Sequence, residues 1–262
     1  MVSQSERKII EDGLMERIKS QTSHRNYDFT DQEIRDKIFP DYFAKGVHLI
    51  DCIVGKYMFF RSEGITFDNC QIKGSNIFGE AKGVTIRGSK SGDGTRVLEE
   101  AEDVIIQNSE FHNPALLNEG KSISIYGSEF YGLNSLSKTE KVNMHSGKFH
   151  AEGAFIGANN VRVLSGEFLG PLAFHYARDV IVYSPDTVIR HLSAARNSII
   201  IVGSIDEVVN YNPKAGTAIY CISPGKKAAP YVTTIKREAF EKVNDISELA
   251  EKAARLHQKM TS

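Results

Sequence analysis

The stretch YGSEFYG at residues 126–132 nearly repeats three others: QNSEFHN at 107–113, HSGKFHA at 145–151 and LSGEFLG at 164–170. Each places a small polar pair, a charge and a phenylalanine about nineteen residues from the last. A period of this length marks a repeat architecture in which each unit stacks on its neighbours. Aligning strand-like segments, in which a polar residue precedes two apolar positions separated by one other, gives starts at Gly46, Gly64, Gly83, Asp103, Ser122, Lys141, Asn160, Asp179 and Ser198. The steps run 18, 19 and 20, then 19 throughout. The chain therefore reads as a solenoid of about nine coils.

Side chains alternate across a strand, so the second and fourth residues of each unit, such as Ile123/Ile125 and Val161/Val163, face inward. The sixth is Asp51, Asn69, Gly88, Asn108, Gly127, Ser146, Ser165, Ser184 or Gly203, residues that tolerate a left-handed backbone or a tight bend. A small residue follows the corner, and two places on comes Ile72, Phe111, Phe130, Phe149 or Phe168. A second corner leads to a third apolar spot at Phe78, Leu117, Leu136, Phe155 or Phe174, and the expectation is three short strands per turn. Stacking identical coils then brings the phenylalanines into ladders inside the molecule.

A nineteen-residue coil with these corners resembles the single-stranded right-handed parallel β-helix, the pectin-lyase-like architecture. The six-residue period of the left-handed hexapeptide helix is missing. More narrowly, the NC-x-I and NS-x-F corners, the neighbouring x-V-x-I strands and NPKAG at 212–216 resemble an uncharacterised bacterial family of compact proteins with this fold, over about 46–222. That resemblance implies an all-β right-handed solenoid and no reaction, since the family brings no catalytic residues with it.

The ends read differently. Residues 4–20 and 31–44 carry apolar side chains at helical spacing, with Pro40 interrupting the second, so residues 1–45 form a helical N-terminal cap. The β-helix spans 46–222. Residues 223–262 form a loop and an amphipathic helix with Ala239, Phe240, Val243, Ile246, Leu249, Ala253 and Leu256 on its apolar stripe. This helix reads as a C-terminal cap, or as a docking element for a partner.

Composition limits the functions. Of 262 residues, 41% are hydrophobic, and 32 Lys and Arg balance 33 Asp and Glu without any basic block. That gives no electrostatic footprint for nucleic acid or for a membrane surface. The N-terminus lacks the apolar core of a signal peptide, and the expected location is cytoplasmic. Cys52, Cys70 and Cys221 are too few and too oddly spaced for a disulfide framework or zinc site and read as reduced thiols. The glycine-rich GSKSGDGTR at 88–96 has no Gly-Lys-Ser/Thr ending and no helix after it, so it reads as the coil holding the one-residue insertion.

Chemistry must sit on outward columns. On the second strand Lys90, Glu110, Glu129, Lys148, Glu167 and Asp186 are expected to stack, beside His112, Tyr131 and His150. Glu110 and Glu129 one coil apart would suit a retaining glycosidase pair, with His112 and His150 nearby. A solvated salt-bridge ladder explains the same residues. The first strand's outward column runs Asp68, Arg87, Gln107, Tyr126, His145, Leu164 and Tyr183. Arg87, Tyr126, Tyr131 and His145 are its candidate binding residues together with the neighbouring column. His175 and His191 lack the carboxylate partners of a metal site. No metal, and no cofactor, is expected. Two readings stand: a non-catalytic binding or interaction scaffold, whose partner is a carbohydrate, another protein or a second copy in a homo-oligomer, and a carbohydrate-active lyase or hydrolase using Glu110 and Glu129.

Overall fold

A computed structural model describes residues 23–30 and 44–261, apart from 26, 57, 93, 95, 194 and 244. It is an all-parallel β-solenoid of about nine coils. The helices expected over 4–20 and 31–44 fall outside the described residues, except for Ala44.

Two parallel ladders run the length of the solenoid. The first passes from Ser23–Arg25 through His48–Ile50, Thr66–Asp68, Thr85–Arg87, Glu102–Gln107, Lys121–Tyr126, Glu140–Met144 and Asn159–Val163. It continues through the long strands Arg178–Ser193, Ile199–Val209 and Ala218–Lys227 to Thr233–Thr234. The second ladder runs beside it from Asp28–Phe29 to Glu167–Phe168 and into the same long strands. Parallel pairing thus extends past both ends of the repeat visible in the sequence.

The alternation places the core as expected. Ile123 and Ile125, Val142 and Met144, and Val161 and Val163 are fully buried. Phe111, Phe130, Phe149 and Phe168 stack in one interior ladder, with ring centroids 5.7, 4.5 and 5.4 Å apart and planes within 10° of parallel. Ser91 occupies the rung before Phe111.

The third side is not a strand ladder. Its apolar residues Phe59, Phe78, Leu98, Leu117, Leu136, Phe155 and Phe174 are all buried with φ between 56° and 63°, in the left-handed region. Left-handed backbone costs a residue with a Cβ roughly 1–2 kcal/mol. Here it lets the chain turn twice within a few residues while each side chain still points into the core. Backbone bonds between coils hold the conformation, as in Leu117 N to Val97 O at 3.0 Å and Leu136 N to Leu116 O at 2.9 Å.

The first corner has its own ladder. The hydroxyl of Ser109 donates to the Gln107 carbonyl at 2.8 Å and accepts the backbone N–H of Ser89 at 3.2 Å, one coil away. Ser128 repeats the pattern toward Tyr126 and Ser109. Small residues recur there because a side chain of that size can reach both its own corner and the next. Gly127, just before Ser128, takes a left-handed φ of 57°, a region that glycine adopts without strain and that Asn69 and Asn108 share in earlier coils. Near the C-terminal end this corner gives way to continuous strands with a register shift between Ser184 and Val188, and Val188 pairs with Glu167. Asp186 therefore leaves the expected charged column and pairs with Arg237 instead.

Helix α1, Ile246–Thr261, lies along the flank of the solenoid and not across its open end. Asp245 caps it, accepting the Ser247 N–H at 3.0 Å. Leu249, Ala253 and Leu256 bury against Tyr183, Ile201 and Tyr220, outward residues of the first ladder. Both tyrosines fasten this region: the Tyr183 hydroxyl accepts the N–H of Glu241, in the segment leading into α1, at 2.8 Å, and the Tyr220 hydroxyl pairs with His257 Nδ1 of the helix at 2.6 Å. Ala228, at the turn before Tyr231, is buried in the main core, and past Cys221, where pairing with Thr233–Thr234 stops, Pro224, Lys226 and Lys227 make the open edge of the last long strand a poor template for pairing.

Phe130→Ala is expected to lower the unfolding free energy by about 3–5 kcal/mol in urea titration. A change below about 0.5 kcal/mol, the size of an exposed-surface substitution, would contradict the interior ladder. Deleting 235–262 uncovers the apolar flank of Tyr183, Ile201 and Tyr220, and the truncated chain should self-associate in sedimentation velocity. A truncated chain that stays monomeric would show that the flank does not need α1 as a cover.

Candidate functional site

The second ladder presents the densest set of chemically able side chains. Strand pairing puts Gln71, Lys90, Glu110, Glu129, Lys148 and Glu167 on successive rungs of one outward column. The next outward position holds His112, Tyr131 and His150. Five of the residues singled out in the sequence, Glu110, Glu129, His112, Tyr131 and His150, are thus brought together on one face.

Each carboxylate is occupied. Glu110 meets Lys90 Nζ at 2.8 Å through Oε2 and His112 Nε2 at 2.7 Å through Oε1. These two hydrogen bonds, Lys90's first, hold the Glu110 carboxyl below its ordinary range. Glu129 Oε2 accepts the Tyr131 hydroxyl at 2.6 Å and lies 3.9 Å from His150 Nε2. The Tyr131 phenol is pushed up, first by that hydrogen bond and then by burial. Lys148 turns the other way and pairs with Glu167 at 3.1 Å.

The rings form a stack of their own. His112 lies 4.6 Å from Tyr131 and Tyr131 4.4 Å from His150, with planes within 4° of parallel. The spacing follows from the rise between coils, about 4.8 Å. Both faces of Tyr131 are consequently covered, and solvent meets ring edges. The surrounding strands are short and regular, so the strip is a flat, solvated surface, with the Glu129 side chain 41% exposed.

The first ladder's candidates are divided. Arg87 clamps Asp68 with two bonds, Nε to Oδ1 at 2.6 Å and Nη2 to Oδ2 at 3.0 Å, while His48 Nε2 meets Asp68 Oδ2 at 2.6 Å. Burial raises the Asp68 carboxyl, but the Arg87 and His48 bonds outweigh it and leave the group below its ordinary value. Tyr126 and His145 stack at 4.2 Å. Burial lowers the His145 pKa, against a smaller opposing pull from Asp245 at the start of α1. Beyond His145 the column is no longer open: Leu164 and Tyr183 lie under the segment leading into α1 and line a hollow of about 440 Å³ with Phe240 and Val243. The sequence carried a signal for this cover, because SIIIV at 198–202 is apolar on both faces where most earlier coils alternate.

Other candidates separate. His175 Nδ1 pairs with Ser193 at 2.7 Å and His191 Nε2 with Glu207 at 3.6 Å. Among the described residues no three His, Cys, Asp or Glu side chains converge closely enough to hold a metal ion. Cys52 and Cys70 occupy adjacent rungs, each buried, and the Cys70 thiol is pushed up first by its hydrogen bond with Cys52 and then by burial.

The Asp68 clamp has a definite pH signature. A carboxyl whose folded pKa is depressed adds stability above its unfolded value, 3.8, and loses it as pH falls through the folded value. Asp68→Asn should therefore cost about 1 kcal/mol at neutral pH, the scale of a partly exposed pair. In thermal melts run at decreasing pH, the gap from wild type should close below pH 3.8. A gap that persists undiminished in acid would rule out the ion pair as its source.

The comparison with curated proteins gives no match, and neither does that with solved structures. Among the described residues no helix is long and apolar enough to cross a membrane. The family described as protein of unknown function (DUF3737) matches residues 23–182, from the first described rung to the inward Val182, and the chain belongs to that family.

Proposed function

We propose that this protein is a non-catalytic scaffold whose second-ladder face, centred on Glu110, His112, Glu129, Tyr131 and His150, docks another protein. The observation that carries this reading is the paired state of both carboxylates on an exposed, flat strip. A retaining glycosidase needs one carboxyl protonated as general acid, and Glu110 is held ionised by Lys90 and His112. Sugars bind flat against open aromatic faces, whereas Tyr131 is covered by a histidine on either side. Exposed ring edges and charges of both signs suit the polar rim of a protein interface.

The coil length and corner chemistry support the finer assignment to a right-handed, pectin-lyase-like helix. Three buried thiols support a reducing, cytoplasmic setting. A second reading, a carbohydrate-active enzyme, draws on one feature: Glu110 and Glu129 are direct strand partners, a separation near that of a retaining pair.

The two readings part in one experiment. Purified protein is incubated with pectic, uronic and neutral oligosaccharides, and products are followed by mass spectrometry for wild type and for the double substitution Glu110→Gln and Glu129→Gln. The scaffold reading expects no product from either form and little change in melting temperature, as for exposed ion pairs. Turnover by wild type that disappears in the double variant would make the protein an enzyme. A photo-reactive amino acid at Tyr131 should cross-link one discrete protein in native extract, and Lys90→Glu should abolish that adduct.

A further inference from the structure

The position just before each first-ladder strand forms a charged column with a regular pattern and one break. Lys45, Glu63, Lys82, Glu102, Lys121 and Glu140 occupy six successive rungs with strictly alternating sign. Opposite charges on neighbouring rungs attract, as in Lys45–Glu63 at 2.9 Å and Lys82–Glu102 at 3.8 Å. The alternation stops at Asn159, and the next two rungs both carry arginine, Arg178 and Arg196, as direct parallel partners. The following coil adds Lys214 beside them, where the Asn197 N–H bonds the Ala215 carbonyl at 2.9 Å.

Like charges placed directly opposite destabilise a sheet. Among the described residues no carboxylate lies within ion-pair distance of Arg178, Arg196 or Lys214, whereas Lys45 and Lys82, earlier in the column, each pair with the glutamate on the next rung. Asp179, the adjacent acid in the chain, uses its backbone carbonyl to accept Arg162 Nη1 at 2.8 Å and makes no ion pair with either arginine. The three cations line, with Asn197, Asn212 and Ala215, a hollow of about 320 Å³. Its far wall is a fixed turn: Asn212 Oδ1 accepts the Lys214 N–H at 3.0 Å, and Gly216 closes the turn at φ 70°.

We propose that this hollow binds an oxyanion of the phosphate class, with Arg178, Arg196 and Lys214 as its ligands. Guanidinium groups grip phosphate through paired N–H donors, and two of them one rung apart, about 4.8 Å, can share the oxygens of one tetrahedral anion. A carboxylate offers a single planar edge and would satisfy one arginine. The three outward oxygens of a phosphate monoester match three cations. The site lies apart from the second-ladder face, so the two proposals fail independently.

The probes are inorganic phosphate and pyrophosphate, with acetate as the carboxylate control, read by isothermal calorimetry and thermal melting of the full chain. Wild type should bind phosphate saturably, pyrophosphate more tightly and acetate not measurably. Arg178→Gln with Arg196→Gln should weaken phosphate binding about tenfold or more, as loss of charge-assisted bonds implies. Without anion the double variant should melt no lower than wild type, because the arginine repulsion is relieved. Lys214→Gln alone should weaken binding while leaving the fold intact, and Lys82→Gln, in the alternating part of the column, should leave binding unchanged. Glycerol phosphate and a phosphoserine peptide then distinguish a small-molecule ester from a modified protein as the source. Absence of saturable phosphate binding to wild type, or equal affinity in the double variant, would overturn the proposal.

Discussion

Successive coils are held by backbone hydrogen bonds at the strand spacing of about 4.8 Å, and this register governs everything else in the molecule. Each residue sits directly over its equivalent one coil away, so a side chain must suit a near-copy of itself above and below. Phenylalanine meets phenylalanine in the interior ladder, and serine hydroxyls bridge from one corner to the next. The same constraint explains the left-handed residues of the third side. A conformation unfavourable for an isolated Leu117 or Phe155 is retained because the neighbouring coils adopt it too and offer the matching carbonyl.

Outside the core, register turns chemistry into columns. A charge placed over a like charge is penalised and one over an opposite charge is favoured, which accounts for the alternation from Lys45 to Glu140. On the second ladder Glu110 and Glu129 are neighbours against this rule, and the repulsion is met by Lys90 and His112 on one carboxylate and by Tyr131 on the other. On the reading proposed above, carboxylates satisfied in this way on a flat face serve recognition. Where the column breaks the rule, at Arg178 and Arg196, the uncompensated charge is available to something outside the chain.

The two ends of the first ladder's outer face show how one surface serves two purposes. In the early coils it is polar and ordered by pairs such as Arg87 with Asp68. From Ile181 onward it is apolar, and α1 covers it, secured by Tyr183 and Tyr220. The helix thus completes a second, smaller core on the flank, while Pro224 and the paired lysines guard the exposed strand edge.

Repeat length, parallel stacking, the inward identity of Phe111 through Phe168 and the pairing of Glu110 with Glu129 were all legible in the amino-acid sequence. A nineteen-residue period with two-residue alternation specifies which equivalents stack and which side faces in, and both are local properties. Three features belonged to the tertiary structure. The third side's left-handed backbone follows from bonds between coils, and an isolated apolar residue does not announce it. Asp186 left its expected column because the corner at Ser184 opens into a bulged, continuous strand whose register is set by pairing with the coil before. The flank position of α1 depended on which apolar surface, among several distant in sequence, was large and flat enough to bury Leu249, Ala253 and Leu256. Local pattern records how a residue faces its own backbone, and only the assembled coils decide what lies on the other side.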